Sequence, residues 1–281
     1  MSNKTIVITG CSSGFGRITA LRLVKEGWHV FATVRKEVNQ ADLVAEVEDG
    51  YKDNLTPILC DITNTQQVAA LAQRVAEATP RLDALLNNAG TAFAAPLELM
   101  PLDDLRAQLE VNVIGHVGVI QALLPLLKAA RGTIINVSSV GGRVSIPVGG
   151  AYSASKFALE ALSDALRLEL APFGVRVVVI EPSSSPTDIW KVSMKRALDQ
   201  LQQHREGPYA RLLARFEKIA RVSASRGFPP TLFADTIERI LSSKNPRTRY
   251  VVPPAAAIEV GLRRFLPDAL FDRILRATLR W

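Results

Sequence analysis

Tyr152 and Lys156 stand four residues apart in Tyr152-Ser153-Ala154-Ser155-Lys156, the one Tyr-x-x-x-Lys spacing in the chain. On a helix that interval places both side chains on one face, about one turn apart. An ammonium beside a phenol favours the phenolate and draws its pKa down from about 10, which suits the phenol to give and take a proton. Upstream, Ser139 ends Asn136-Val137-Ser138-Ser139, which reads as the carboxyl end of a strand. Ligands of open α/β sheets bind in the crevice beyond such strand ends.

A second cluster lies near the start, in Thr9-Gly10-Cys11-Ser12-Ser13-Gly14-Phe15-Gly16, between a β-branched run and a helical pattern. Three glycines let the backbone turn tightly and approach a pyrophosphate, and the N-terminus of the following helix adds partial positive charge. The spacing is Gly-x-x-x-Gly-x-Gly and differs from the commoner Gly-x-Gly-x-x-Gly fingerprint. Past the second strand come Arg35 and Lys36, with no acid before Glu37. An acid there would accept from a ribose 2′-hydroxyl, whereas a base suits a 2′-phosphate, so NADP(H) is preferred and NAD(H) is the other option.

These groups need a scaffold that brings strand ends and helix starts together. Apolar runs at 5–9, 28–34, 55–60, 82–87, 133–137, 175–180 and 250–252 read as strands, and helical periodicity falls at 14–26, 38–48, around Val68/Leu71/Val75, and at 102–127, 152–170 and 232–242. Near-continuous apolar strands separated by amphipathic helices predict an α/β fold, a doubly wound parallel sheet with helices on both faces. Residues 1–253 are expected to form one dinucleotide-binding and catalytic domain. Within it, 187–228 is a basic, helical insertion, and 254–281 is a helical C-terminal extension.

The 281-residue chain carries a formal net charge of +7, yet it has no Lys/Arg block or zinc-finger spacing, so no nucleic-acid partner is expected. His29, His116 and His204 have no ligand-spaced companions, so no metal is expected. Cys11 and Cys60 fall at the ends of the first and third strands, which should not be sheet neighbours, and are expected as free thiols in a reducing compartment. Met1 leads directly into the first strand, and no run reaches the roughly 20 apolar residues of a spanning helix, so a cytoplasmic protein is expected.

Taken together, Thr9–Gly16, Asp61-Ile62, Asn87-Asn88-Ala89-Gly90, Asn112, Ser139 and Tyr152 with Lys156 resemble the short-chain dehydrogenase/reductase family over residues 4–253. The Cys-Ser-Ser-Gly-Phe-Gly turn, Gly-Gly-Arg-Val after Ser139 and Tyr-Ser-Ala-Ser-Lys-Phe-Ala-Leu-Glu are most similar to its steroid- and retinol-handling branch. The resemblance implies hydride exchange between a nicotinamide and an alcohol/carbonyl pair, with Asn112, Ser139, Tyr152 and Lys156 as the catalytic set. It implies cofactor contacts from Gly10, Ser12, Ser13, Gly14, Phe15, Gly16, Arg35, Asp61, Ile62, Asn88, Ala89, Gly90, Tyr152, Lys156, Pro182 and Thr187. Asp61 and Ile62 would flank the adenine, Lys156 would bond the nicotinamide ribose, and Asn112 would anchor a water. A homodimer or homotetramer through the helices over 102–127 and 152–170 is also implied.

The family's usual Pro-Gly after the sixth strand is here Pro182-Ser183, which puts close approach of the backbone to the nicotinamide in question. That departure is the opening for an alternative, a catalytically silent dinucleotide-binding sensor or scaffold. Phe93, Val144, Ile146 and Val148, with Ile189, Trp190, Met194 and Leu201 of the insertion, predict an apolar pocket for a lipophilic alcohol or ketone. The tail carries Leu266, Leu270, Ile274 and Leu275 among Arg263, Arg264, Arg273, Arg276 and Arg280. Such a helix docks on its own protein or a second subunit, the favoured expectation, or lies on an anionic membrane.

Overall fold

A computed structural model describes residues 4–186, 196 and 206–279. Its centre is one sheet of seven strands, β1 (Thr5–Ile8), β2 (His29–Val34), β3 (Leu55–Leu59), β4 (Ala84–Asn87), β5 (Thr133–Val137), β6 (Arg176–Pro182) and β7 (Arg249–Val252). The spatial order is β3-β2-β1-β4-β5-β6-β7 and every pairing is parallel. The winding reverses between β1 and β4, and a crevice opens at such a reversal beyond the carboxyl ends of the strands. The doubly wound parallel sheet that the strand rhythm predicts is therefore the fold.

Helices α1 (Gly14–Lys25), α2 (Glu37–Ala45), α3 (Thr65–Ala78), α4 (Leu102–Leu109), α5 (Gly115–Ala130), α6 (Gly150–Leu170), α7 (Ala210–Arg226), α8 (Pro230–Ser242), α9 (Ala257–Phe265) and α10 (Asp268–Leu279) complete the described elements. The period-two alternation of β1 divides the core into two layers. Ile6 and Ile8 meet Leu23 and Val24 of α1 and Phe233, Ile237 and Ile240 of α8, while Val7 points the other way to Leu71 and Val75 of α3 and Val119, Leu123 and Leu127 of α5. Each such side chain contributes about 1.5–3 kcal/mol by leaving water.

Two expected elements differ. The single helix over 102–127 is interrupted by a π-helical turn at Glu110–Ile114, with buried Asn112 at its centre. Asn112 is held there by three side-chain bonds to neighbouring elements, and the extra residue in the turn accommodates that hold. The helical tail is likewise two helices, because Pro267 cannot continue α9 and restrains Leu266 before it.

One expectation needs correction. The run Leu102–Ala130 is long and apolar enough, by length and composition, to cross a membrane. Here α5 buries Val119, Ile120, Leu123 and Leu127 against the sheet, as a core helix of a two-layered fold does. Cys11 and Cys60 are free and buried, with β2 lying between β1 and β3.

Candidate active site

The carboxyl ends of β1, β4, β5 and β6 face a cleft of about 510 Å³ lined at one side by Gly10, Ser12, Ser13, Gly14 and Phe15 and at the other by Ser139, Tyr152, Lys156 and Pro182. Arg35, Asp61, Ile62, Asn88, Ala89 and Gly90 line it too, so most residues named from the sequence meet in one place. Gly16 and Asn112 do not line it and act from behind. Thr187 and the insertion's Ile189, Trp190, Met194 and Leu201 lie outside the described residues.

The glycine turn is shaped by contacts that leave no room for side chains. Gly10 has φ +73°, and a Cβ there would fall 2.8 Å from the Ala89 Cα; a Cβ on Gly16 would fall 2.4 Å from the Gly10 carbonyl oxygen. Gly14, also at positive φ, opens α1. Asn88 locks the turn, its Nδ2 donating to the carbonyls of Thr9 (2.8 Å) and Gly10 (3.1 Å), while Thr9 Oγ1 accepts from the Asn88 and Ala89 amides. Ser13 makes no side-chain cap and the first turn of α1 has no acid, so the leading N–H groups and the helix dipole remain available to an anion. Exposed Arg35 stands at the rim. These features fit a dinucleotide pyrophosphate.

At the other end, α6 begins two residues before Tyr152 and brings Tyr152 and Lys156 under the end of β5. Lys156 Nζ donates to the Val137 carbonyl at 2.8 Å and lies 5.8 Å from the Tyr152 ring centroid. Burial lowers the Lys156 pKa to about 8, against the charge of Glu160 one turn on, which raises it. Burial raises the Tyr152 pKa, and a hydrogen bond with Ser139 opposes the rise. The downward pull expected of Lys156 does not figure in the phenol's shift, which burial and Ser139 set, and the ammonium donates to the Val137 carbonyl. Ser139 Oγ accepts from the Gly141 amide (3.0 Å) and donates to the Pro182 carbonyl (3.3 Å).

Asn112 Oδ1 accepts from the Thr91 amide (2.9 Å), and its Nδ2 donates to the Thr91 carbonyl (2.9 Å) and to Ser155 Oγ (3.0 Å). The side chain ties the π turn to α6. Asp61 Oδ1 accepts from the Thr63 amide and hydroxyl, shaping the turn after β3. Ile62 fills the space above Gly115, where a Cβ would lie 2.9 Å from Ile62 Cγ1. Ser183 stands where the family pattern has glycine, but it is absent from the positive-φ residues and its amide donates to the Val252 carbonyl at 2.7 Å. A backbone outside the positive-φ region accepts a side chain, so Ser183 carries no left-handed strain at the strand end.

Sequence reasoning missed His116 in this assembly. It is fully buried, its Nε2 lies 2.6 Å from the Ala89 carbonyl, and burial with the charge of Lys156 lowers its pKa to about 3. A neutral ring donating to Ala89 holds the loop that in turn holds the glycine turn. The available signal was its position four residues after Asn112, on the same helix face. Asn87, Asn136 and Ser163 form a second buried chain beneath the strand ends, Asn87 Nδ2 to Asn136 Oδ1 at 3.1 Å and Asn136 Nδ2 to Ser163 Oγ at 2.9 Å.

The model of the short chain dehydrogenase family matches residues 4–197. The chain belongs to the short-chain dehydrogenase/reductase family. A 3-ketodihydrosphingosine reductase of Bacteroides thetaiotaomicron is 34% identical over 98% of this chain and 98% of its own length. Human retinol dehydrogenase 16 is 34% identical over 98% of this chain and 88% of its own, in keeping with the resemblance to the retinol-handling branch. A crystal structure of a family member from Burkholderia phymatum in complex with NAD superposes with a TM-score of 0.80 at 27% identity, covering 94% of this chain and 93% of that one. This protein is accordingly a family oxidoreductase that acts on CH–OH groups with a nicotinamide dinucleotide.

Proposed function

We propose that the protein interconverts a lipophilic alcohol and its ketone or aldehyde, with Tyr152 as the proton donor and acceptor and NADP(H) as the preferred cofactor. The supporting observation is the meeting of Tyr152, Ser139 and Lys156 at one end of a cleft whose other end is a glycine turn with unspent amides. When bound, the nicotinamide supplies or accepts the hydride. In reduction, the Tyr152 hydroxyl gives its proton to the carbonyl oxygen. Ser139 turns its hydroxyl from the Pro182 carbonyl to that oxygen and stabilises the developing alkoxide. Lys156, charged below about pH 8, supports the phenolate that remains and bonds the ribose. Oxidation reverses each of these movements.

Arg35, placed to meet a 2′-phosphate, supports the cofactor preference. Phe93, Ala92 and Val111 give the substrate end an apolar wall. That wall supports the substrate class, as do relatives named as a 3-ketodihydrosphingosine reductase and a retinol dehydrogenase. Cytoplasmic action and a homodimer or homotetramer belong to the same reading. In support of an oligomer, Phe157 and Leu168 of α6 and Ile114 of the π turn are exposed on the helices expected to pair.

The test is a panel of steroid, retinoid and long-chain keto substrates with both reduced cofactors, on wild type and Tyr152→Phe. We expect turnover with NADPH on a lipophilic carbonyl and a loss of about 10²–10⁴-fold in the variant, with dinucleotide binding kept. Unchanged turnover in the variant refutes the role of Tyr152.

A further inference from the structure

Helices α9 and α10 carry large apolar side chains on two faces. The inward face of α10 presents Phe271, Leu275 and Leu279 at i, i+4 and i+8, and Leu279 packs with Leu212 and Val148. Arg215 of α7 fastens it by donating to the Thr278 carbonyl at 3.2 Å. Val260 of α9 points to the same side, and together these residues roof a cavity of about 970 Å³ that is distinct from the cofactor cleft. That much satisfies the favoured expectation that the tail docks on its own protein.

The outward faces are also apolar. Ile258, Leu262 and Phe265 of α9, at i, i+4 and i+7, are 74%, 56% and 79% exposed, and Leu270 and Ile274 of α10 are 45% and 44% exposed. A helix meant to face water has polar residues there. Exposed Arg273 flanks this surface, exposed Arg264 and Arg276 stand at the mouth of the cavity beside Asp272, and Arg263 folds back onto Phe271 and Asp268.

We propose that this face is a docking surface for an anionic lipid bilayer, with the outward apolar residues of both helices in the acyl–headgroup boundary and the arginines against the headgroups. An apolar face bordered by arginine is the pattern of interfacial helices. A second copy of this chain is the competing occupant, and the sedimentation mass separates it from a bilayer. The cavity under the helices gives the surface a use. Its walls include Ile146, Val148 and Phe157, and Val148 packs with Ala94, the neighbour of Phe93 in the cofactor cleft. A lipid entering from the bilayer would pass beneath the roof toward Tyr152, a corollary that rests on the lipophilic-substrate reading.

Flotation of the full chain with vesicles tests the docking without any substrate, so its outcome is independent of that reading. Wild type is expected to float with phosphatidylcholine vesicles containing phosphatidylglycerol, to stay behind with phosphatidylcholine alone, and to be released by salt. Leu262→Glu with Phe265→Glu is expected to abolish flotation and to leave turnover of a short, water-soluble ketone unchanged. Arg264→Glu with Arg273→Glu, which leaves every apolar contact in place, is expected to lower vesicle partitioning by roughly thirtyfold or more. Three results would overturn the proposal: no flotation of wild type with the anionic vesicles, flotation indifferent to both double variants, or a halved sedimentation mass of the apolar-face variant without vesicles, which would assign the face to a second copy.

Discussion

Lys156 and Tyr152 both pay a desolvation cost, and the cost falls on different protonation states. Burial favours the neutral amine in Lys156, bringing its pKa to about 8, and the neutral phenol in Tyr152. Since support of a phenolate needs the ammonium, kcat/KM for reduction is expected to fall as pH rises through about 8, measured on the free enzyme under limiting substrate. A second buried group titrates nearby. Glu181 of β6 lies 3.2 Å from Arg143 and 3.5 Å from Arg249, and burial beside Glu160 raises its pKa to about 7 from 4.5. Below about pH 4.5 the group is protonated in both states. Between there and pH 7 the unfolded chain ionises first, so stability is lost as pH rises and the loss is complete above pH 7. Glu181→Gln should therefore gain in stability relative to wild type as pH rises from 5 to 8, in paired thermal melts. An unchanged difference across that range would show that the carboxylate is not held up by burial.

Helix α1 is both a core element and the floor of the cofactor cleft, so a change at either contact is expected to reach both. Gly16→Ala forces a methyl into the Gly10 carbonyl and Asn88 Nδ2, both within 2.5 Å of the added carbon. Fluorescence titration should show dinucleotide binding reduced at least tenfold, with a stability loss of about 1–3 kcal/mol. On the opposite face the Phe15 ring stacks on Phe233 of α8 with centroids 4.2 Å apart. Phe233→Ala should lower stability by about 3–5 kcal/mol in denaturant melts. It should also weaken dinucleotide binding, because Phe15 belongs to the glycine turn. The π turn between α4 and α5 follows the same logic of one element serving two ends. Asn112 fixes Thr91 on one side and Ser155 of α6 on the other, and the helix deforms so that both bonds are made.

For the whole molecule, exposed Leu168 of α6 and the outward faces of α9 and α10 are two apolar surfaces with different predictions. Leu168→Glu should convert an oligomer to the 30.6 kDa chain in sedimentation while leaving vesicle flotation intact; a wild-type protein already sedimenting at that mass would remove the oligomer. The sequence by itself determined the parallel doubly wound sheet, because near-continuous apolar runs alternating with helical stripes need a sheet covered on both faces. It also determined the Gly10–Gly16 turn and the pairing of Tyr152 with Lys156, since these depend on spacings of a few residues. Only the tertiary structure decided what depends on packing between elements remote in the chain. That includes the neutral buried His116 under Ala89, the π turn at Asn112, the absence of a positive φ at Ser183, and the split of the tail into two helices with one apolar face inward and one outward. A pattern along a chain reports which residues share a face, whereas the burial that sets a pKa, or leaves a face uncovered, is made by the other elements that come to lie against it.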